Sequence, residues 1–408
     1  VSISRRAWLV VLSGLGVNLS LGVLYSWGVF SAALIDDLNW TATQTQIPYM
    51  VASAIFAFTM VPAGRLQDKL GPRLVLLIAS VMAGAGFIFS GFNLTVLGLS
   101  IFFGVVFGLS MGFGYASPTP AAVKWFHPDH RGIISGIVVS GFGLAPVYIA
   151  PLTSALVESV GLSSAFVILG IVFFITVFSL SFFIKNPPEG FERIKLKKKA
   201  KRFHPIAKEE RNFKAMLRTP QFYLLWILFF FGTFAGLQII GQMARIGLEQ
   251  ASIVNTFLLV VVYAIFNFIG RIVWGTISDY IGRTATLFSM FVIQAAVFFS
   301  FGALTSPLSL LIGKSLVGFT FGGMLSIFPA ITADYYGMKN LGMNYGMMIT
   351  AWGVGGILGP LFGGLARDIT GGYSIAYLIS AILSTLGVVI SLLIRHPDVP
   401  RKKTVPVQ

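Results

Sequence analysis

The sequence predicts an all-α polytopic membrane protein with twelve transmembrane helices, arranged as two six-helix bundles related by a pseudo-twofold axis. Three observations carry this expectation. Only 11% of the 408 residues are charged while 56% are apolar, against roughly a quarter charged in an ordinary soluble domain. Apolar runs of the roughly 20 residues that one bilayer crossing needs recur along the whole chain. A polar motif near residue 64 returns near residue 275, as expected when a chain is built from two related halves.

The crossings follow in order. Arg5 and Arg6 precede an apolar run from Ala7 to Ala33, which mimics a signal peptide but is too long for the usual apolar core, so it reads as a retained first helix. Further runs lie at 43–63, 74–92, 95–122, 132–156, 164–184, 221–244, 252–274, 285–304, 307–330, 342–365 and 373–394. Short Gly/Pro or polar punctuation separates them. The exception is the connection at 185–218, which holds twelve Lys/Arg and four Glu. The expected organisation is a bundle at 1–184, a basic linker at 185–218, a second bundle at 219–394 and a tail at 395–408.

Charge fixes the orientation. Placing the N-terminus inside puts 25 of the 29 Lys/Arg on the linker side; Arg245 and Arg367 fall in opposite loops, and Arg271 and Lys314 within helices. The positive-inside rule then places both termini in the cytoplasm, in a plasma or inner membrane. The net charge of +15 is topology rather than a nucleic-acid signal, and KLKKKAKR in the linker reads as a solvated segment near lipid headgroups. With no cysteine, and with His127, His130, His204 and His396 scattered, neither a metal site nor a cofactor is expected.

The repeat has chemical content. Gly64, Asp68 and Gly71 in GRLQDKLGPR return as Gly275, Asp279 and Gly282 in GTISDYIGRT, 211 positions on; Gly132 and Gly136 pair with Gly342 and Gly346 at 210. Each G-x-x-x-D-x-x-G lies between the second and third helices of its half. A short acid there can accept from a neighbouring helix N-terminus and pair with Arg73 or Arg283, which makes a conformational lock; the bland alternative is a wet turn.

Paired motif, basic central loop and twelve helices together resemble the major facilitator superfamily over essentially the whole chain. YSWGVF at 25–30, KWFHPDHRG at 124–132, AMLRTPQFYLLW at 215–226 and NFIGRIVWGTISDYIGR at 267–283 look like its monocarboxylate transporter and oxalate/formate antiporter branch. The resemblance implies alternating access by two bundles around a midplane site for small carboxylates.

The ionisable residues point to such a site independently. All fourteen acids fall at loop or helix-end positions, whereas Arg271 lies about 12 Å inward of Asp279. A fixed cation there costs about 2.5–3.5 kcal/mol, so an exchangeable anion is its natural partner, and its planar fork suits one carboxylate. Asn255, Tyr263, Asn267 and Arg271 share one helix face at multiples of four, and Asn267 can donate to a substrate hydroxyl or keto oxygen. Snorkelling toward the near surface is the competing reading of Arg271. In the resembled branch the arginine at this motif position is the carboxylate ligand. Tyr25, Tyr115, Phe321 and Trp352 occupy positions where its pattern has aromatic or charged cavity residues, with the interface belt or helix packing as the alternative for each. Trp352 stands where oxalate exchangers carry a second cation, which favours a single carboxylate. Animal monocarboxylate transporters have an Asp four residues before the arginine and a first-helix Lys; Asn267 and the absence of that Lys put proton coupling by those groups in doubt. Lys314 reads as snorkelling, or else as a cation of the outer vestibule.

The expected function is secondary transport of short monocarboxylates such as lactate or pyruvate by a monomer. A proton accompanies the substrate, entering with the acid or through water beside Arg271. Carboxylate exchange of the oxalate/formate type and a transporter-like sensor are the alternatives. No nucleophile, acid/base pair or metal set is recognisable, so an enzyme is not expected.

Overall fold

The computed structural model describes residues 3–40, 42–194, 209–253, 256–394 and 397. The basic stretch at 195–202, Asn255 and the tail at 395–396 and 398–408 lie outside these. Helix α1 consists of Ile3–Leu21 and Trp27–Leu38 joined by a tight 3-10 turn, Gly22–Ser26. α2 is Ala42–Leu70, and α3 is Pro72–Phe92. α4 runs through Val96–Leu99, a widened π turn at Ser100–Phe107, Gly108–Ala116 and Pro118–Val123. Arg131–Ser181 is one helical stretch broken at Gly161, with φ 82° and ψ 163°. Glycine reaches that conformation without a Cβ clash, and it divides the stretch into α5 before it and α6 after it. The second half contains α7 Pro220–Ala251, α8 Thr256–Ile281, α9 Arg283–Ser300, α10 Pro307–Tyr336, α11 Leu341–Thr370 and α12 Ser374–Leu393. Eleven continuous stretches among the described residues are long and apolar enough to cross a bilayer, one of them 54 residues long. Dividing that one at Gly161 gives twelve crossings.

Equivalent junctions use equivalent chemistry. The second glycine of each repeated motif, Gly71 or Gly282, adopts a positive φ, 84° and 91° respectively, and reverses the chain into α3 or α9. Elsewhere α10 opens with Pro307 behind a reciprocal Ser306/Ser309 cap, which satisfies amide donors that the first turn cannot.

The helices form two bundles of six. In the first, α1 packs on α5, α2 on α4 and α3 on α6; in the second, α7 packs on α11, α8 on α10 and α9 on α12. Peripheral α3, α6, α9 and α12 expose Val81, Ile175, Phe299 and Leu386, a distribution suited to hydrocarbon rather than water. Between the bundles α2 meets α11 and α5 meets α8. These crossings rest on the glycines singled out by the repeat. Gly64 and Gly342 press backbone on backbone, as do Gly132 and Gly275, and there is no room for a Cβ on any of the four. One turn further in, Gly136 packs on the Arg271 carbonyl and Gly346 on the Met60 carbonyl. Arg271 and Met60 are therefore equivalent positions, and the charge belongs to one half alone.

Candidate functional site

Two buried polar regions stand out, the expected lock where the linker joins the bundles and a cage of polar and aromatic groups at mid-depth. In the lock, Asp68 Oδ1 and Oδ2 accept from the backbone N–H groups of Gly342 and Met343 at 3.0 and 2.8 Å. Asp279 accepts equivalently from Gly132 and Ile133, both at 3.0 Å. Each acid so caps the first turn of a helix in the opposite bundle, where amide donors are unpaired and the helix dipole favours negative charge.

The two copies differ in their cations. Arg283 donates to Asp279 at 2.7 Å and to Asp334 at 2.8 Å, and Arg131 of α5 donates to Asp334 at 2.7 Å. All four groups are buried, so this network also ties α5 to α10. Asp334 and Arg131 were not expected as members; both are helix-end residues whose partner lies across the bundle boundary. The pairing expected of Arg73 with Asp68 is not made. Arg283 aligns with Pro72 at the 211-residue offset, so Arg73 is one position further round its helix; its guanidinium lies 4.4 Å above the Phe182 ring. Lys124, just beyond α4, supplies the charge near Asp68 instead. Burial pushes its amine below the ordinary lysine value, partly offset by Asp68 and Glu210.

At mid-depth, Arg271 of α8 is 0% exposed. It does not snorkel. Nε donates to Asn267 Oδ1 at 2.7 Å, Nη1 donates to the Val139 carbonyl of α5, and Nη2 has no hydrogen-bond partner. Gly143 of α5 leaves the room in which the Asn267–Arg271 pair lies. The guanidinium is thereby held from two sides with one nitrogen unengaged.

Five rings assemble beside it. Phe56 lies 5.6 Å from Tyr115, 5.8 Å from Phe142 and 5.0 Å from Trp352, while Phe142 lies 5.1 Å from Tyr25 and 5.5 Å from Tyr115. Tyr25 reaches this group because the 3-10 turn interrupts α1 at its position. The hydroxyls of Tyr25, Tyr115, Tyr263 and Tyr345 all feel the Arg271 charge. The buried polar atoms without a partner of normal geometry include Tyr115, Tyr263 and Tyr345 hydroxyls, Trp352 Nε1, Asn267 Nδ2 and Arg271 Nη2. Three of these can only donate and the hydroxyls can also donate. The buried acids among the described residues, Asp279 and Asp334, are both committed to the lock. A donor-rich cage around one fixed cation, with no acid among the described residues, is chemically complementary to a small anion.

Of the expected site residues, Arg271, Asn267, Tyr25, Tyr115 and Trp352 converge, and Tyr263 joins them. Phe321 does not: its ring packs against Gly236 of α7, because it is the neighbouring Gly322 that faces Asn267. Snorkelling is also incorrect for Lys314, which is 1% exposed and donates to the Met243 carbonyl at 2.8 Å. Phe56, Phe142 and Tyr345 are additional members. Tyr345 had a legible signal, since it precedes Trp352 by seven residues and so shares its helix face.

Comparison with known proteins agrees with this architecture. Over 387 residues the chain is 30% identical to the oxalate:formate antiporter of Oxalobacter formigenes, covering 94% of this chain and 90% of that protein. It is 25% identical to monocarboxylate transporter 13 of Rattus norvegicus, covering 94% and 88%. The crystal structure of the human organic anion transporter MFSD10 superposes with a TM-score of 0.70 at 14% identity, covering 95% of this chain and 99% of that one. The family model described as Major Facilitator Superfamily matches residues 9–250 and 246–408, and the chain belongs to that superfamily.

Proposed function

We propose that the protein is a secondary active transporter that moves short-chain monocarboxylates, such as lactate and pyruvate, by alternating access with proton symport. The observation that carries this reading is Arg271: a buried cation with one nitrogen unengaged, facing a cage of donors. A carboxylate placed there takes charge-assisted hydrogen bonds that are shorter and stronger than neutral ones. Asn267 Nδ2 and the tyrosine hydroxyls are available to a 2-hydroxy or 2-oxo oxygen, and the rings of Phe56 and Phe142 suit a short apolar end. One cation matches one carboxylate, and Trp352 offers no second charge.

In this reading the units are 1–184, 185–218, 219–394 and 395–408, the linker face is cytoplasmic by the positive-inside rule, and the carrier works as a monomer without chemistry on its substrate. The lock of Gly64, Asp68, Gly275, Asp279 and Arg283, joined by Arg131 and Asp334, seals the cytoplasmic side while the cage loads. Releasing substrate inward requires both helix caps to break. Symport leaves the cycle electrically balanced, because each anion crosses with one proton.

A second reading, anion exchange, is favoured by the oxalate:formate relative and by the lack of an acid in the cage among the described residues. Uptake of labelled L-lactate into proteoliposomes separates the two. Symport gives accumulation driven by an inward proton gradient alone, whereas exchange gives uptake only with unlabelled acid inside. No carboxylate uptake under either condition would end both readings.

A further inference from the structure

Both described ends of the linker are fastened, each to a different bundle. On the first bundle, Trp125 Nε1 donates to the Lys185 carbonyl at 2.8 Å, the Ile194 N–H donates to the Trp125 carbonyl at 3.0 Å and the His127 N–H to the Ile194 carbonyl at 2.9 Å. On the second, the Arg211 N–H donates to the Tyr336 carbonyl and Asn344 Nδ2 to the Arg211 carbonyl, both at 2.9 Å, while Glu210 Oε2 accepts the Lys339 N–H at 2.7 Å. Gly337, which has no side chain, leaves the space this carboxylate fills. Glu210 therefore rides on the turn between α10 and α11, the same turn that delivers Gly342 and Met343 to Asp68.

That turn is held by two acids, Asp68 of the first bundle and Glu210, which moves with the second. The cation near both is Lys124 of the first bundle, whose ammonium form each carboxylate favours. The other copy of the lock is built differently. There Asp334 joins Asp279 and Arg283 into one network, but the 211-residue offset puts Pro72 at the arginine's place and Val123 at the place of Asp334. Neither carries a charge. Lys124 adjoins Val123 in the chain, and Glu210 is the acid that comes to it from outside the repeat.

We propose that Glu210 replaces the missing acid of the first lock, so that the linker is a component of the gate and not only a tether between the bundles. Lys124 and Asp68 belong to one bundle and stay together when the seam parts. Glu210 leaves with the α10–α11 turn, so its attraction for Lys124 stabilises only the state shut on the linker side. Glu210 is exposed and Lys124 half-buried, which sets the size of the effect. A pair of this kind shifts a two-state ratio by about two- to fivefold and weakens as salt rises. The inference depends on the bundles parting at this face and not on which anion is carried.

The test uses the full chain in lipid nanodiscs. Its lack of cysteine permits one labelled pair, Leu70→Cys and Ile281→Cys, exposed residues at the linker-side ends of α2 and α8. Spin-label distances give the ratio of short (shut) to long (parted) populations at low and high salt, in the otherwise native chain and with Glu210→Gln, Lys124→Gln or both. Glu210→Gln keeps an oxygen for the Lys339 N–H, so it removes the charge and leaves the brace. Each single substitution lowers the short-to-long ratio by about two- to fivefold at low salt, and the native advantage shrinks at high salt. In the Lys124→Gln background, adding Glu210→Gln costs nothing further, because the charge it would attract is gone. An unchanged ratio in Glu210→Gln, or an equal loss whether or not Lys124 is present, overturns the proposal. If only Glu210→Ala, which also removes the brace, alters the ratio, Glu210 is a structural prop and the proposal likewise fails. No substrate is used, so a failure of the monocarboxylate reading leaves this result untouched.

Discussion

Asn267 and Arg271, one turn apart on α8, are joined by a 2.7 Å hydrogen bond from Arg271 Nε to Asn267 Oδ1. Because the amide oxygen and the Val139 carbonyl already hold two guanidinium nitrogens, the cation has a fixed direction before any substrate arrives. Preorganisation of this kind spares the ordering cost of binding.

Arg271→Lys should insert normally and lose at least tenfold in lactate uptake, since an ammonium is a point charge and cannot keep both supports while meeting a carboxylate. Proteoliposome uptake normalised to inserted protein measures this. Wild-type rates would remove Arg271 from the site.

Oxalate should compete poorly with lactate. A second carboxylate would lie beside Trp352 without a partner, and an unpaired charge in a dry cage costs several kcal/mol. Inhibition of lactate uptake by oxalate at concentrations similar to unlabelled lactate would contradict the single-carboxylate geometry.

Tyr345→Phe should raise the KM for lactate roughly fivefold with little loss of stability. The hydroxyl faces that of Tyr115 without a hydrogen bond of normal geometry, so its removal is felt mainly when substrate is present, at about 1 kcal/mol. An unchanged KM would leave Tyr345 as packing alone.

Asp68→Asn and Asp279→Asn should both loosen the linker-side seal while keeping the dependence of uptake on a proton gradient. Asp279→Asn should be the more severe, because it also strips a charge from the buried Arg283 and Asp334 network; breaking such a pair costs about 3–5 kcal/mol. Thermal unfolding and the outward-to-inward ratio read from paired labels check the order. Gradient-indifferent transport in either variant would make that acid a proton carrier.

The two capping acids and the central cation were legible in sequence because each breaks a simple rule: a motif repeated at a fixed offset, and a charge inside an apolar helix. Direction was harder to read. Arg73 and Arg283 look interchangeable as letters, yet one step round a helix separates a ring contact from a buried ion pair. Phe321 and Gly322 differ by the same step, and which of them faces Asn267 depends on where α7 and α8 lie. Lys314 was misplaced because spacing along one helix does not reveal that Gly247 and Leu259 roof it. Arg131 and Asp334 are 203 positions apart, beyond any local pattern.

The glycine crossings between α2 and α11 and between α5 and α8 have a kinetic meaning. Where Gly64 meets Gly342 and Gly132 meets Gly275, backbone rests on backbone, so the four glycines themselves present no side chain that must change rotamer or withdraw as the bundles part. Such a seam behaves as a bearing surface, smooth to shear and held shut by the two aspartate caps together with the Arg131–Asp334 pair. Even alanine at one of these four positions would put a burr on that surface, and because its methyl group collides only while the seam is shut, it would bias the carrier away from the state closed on the linker side.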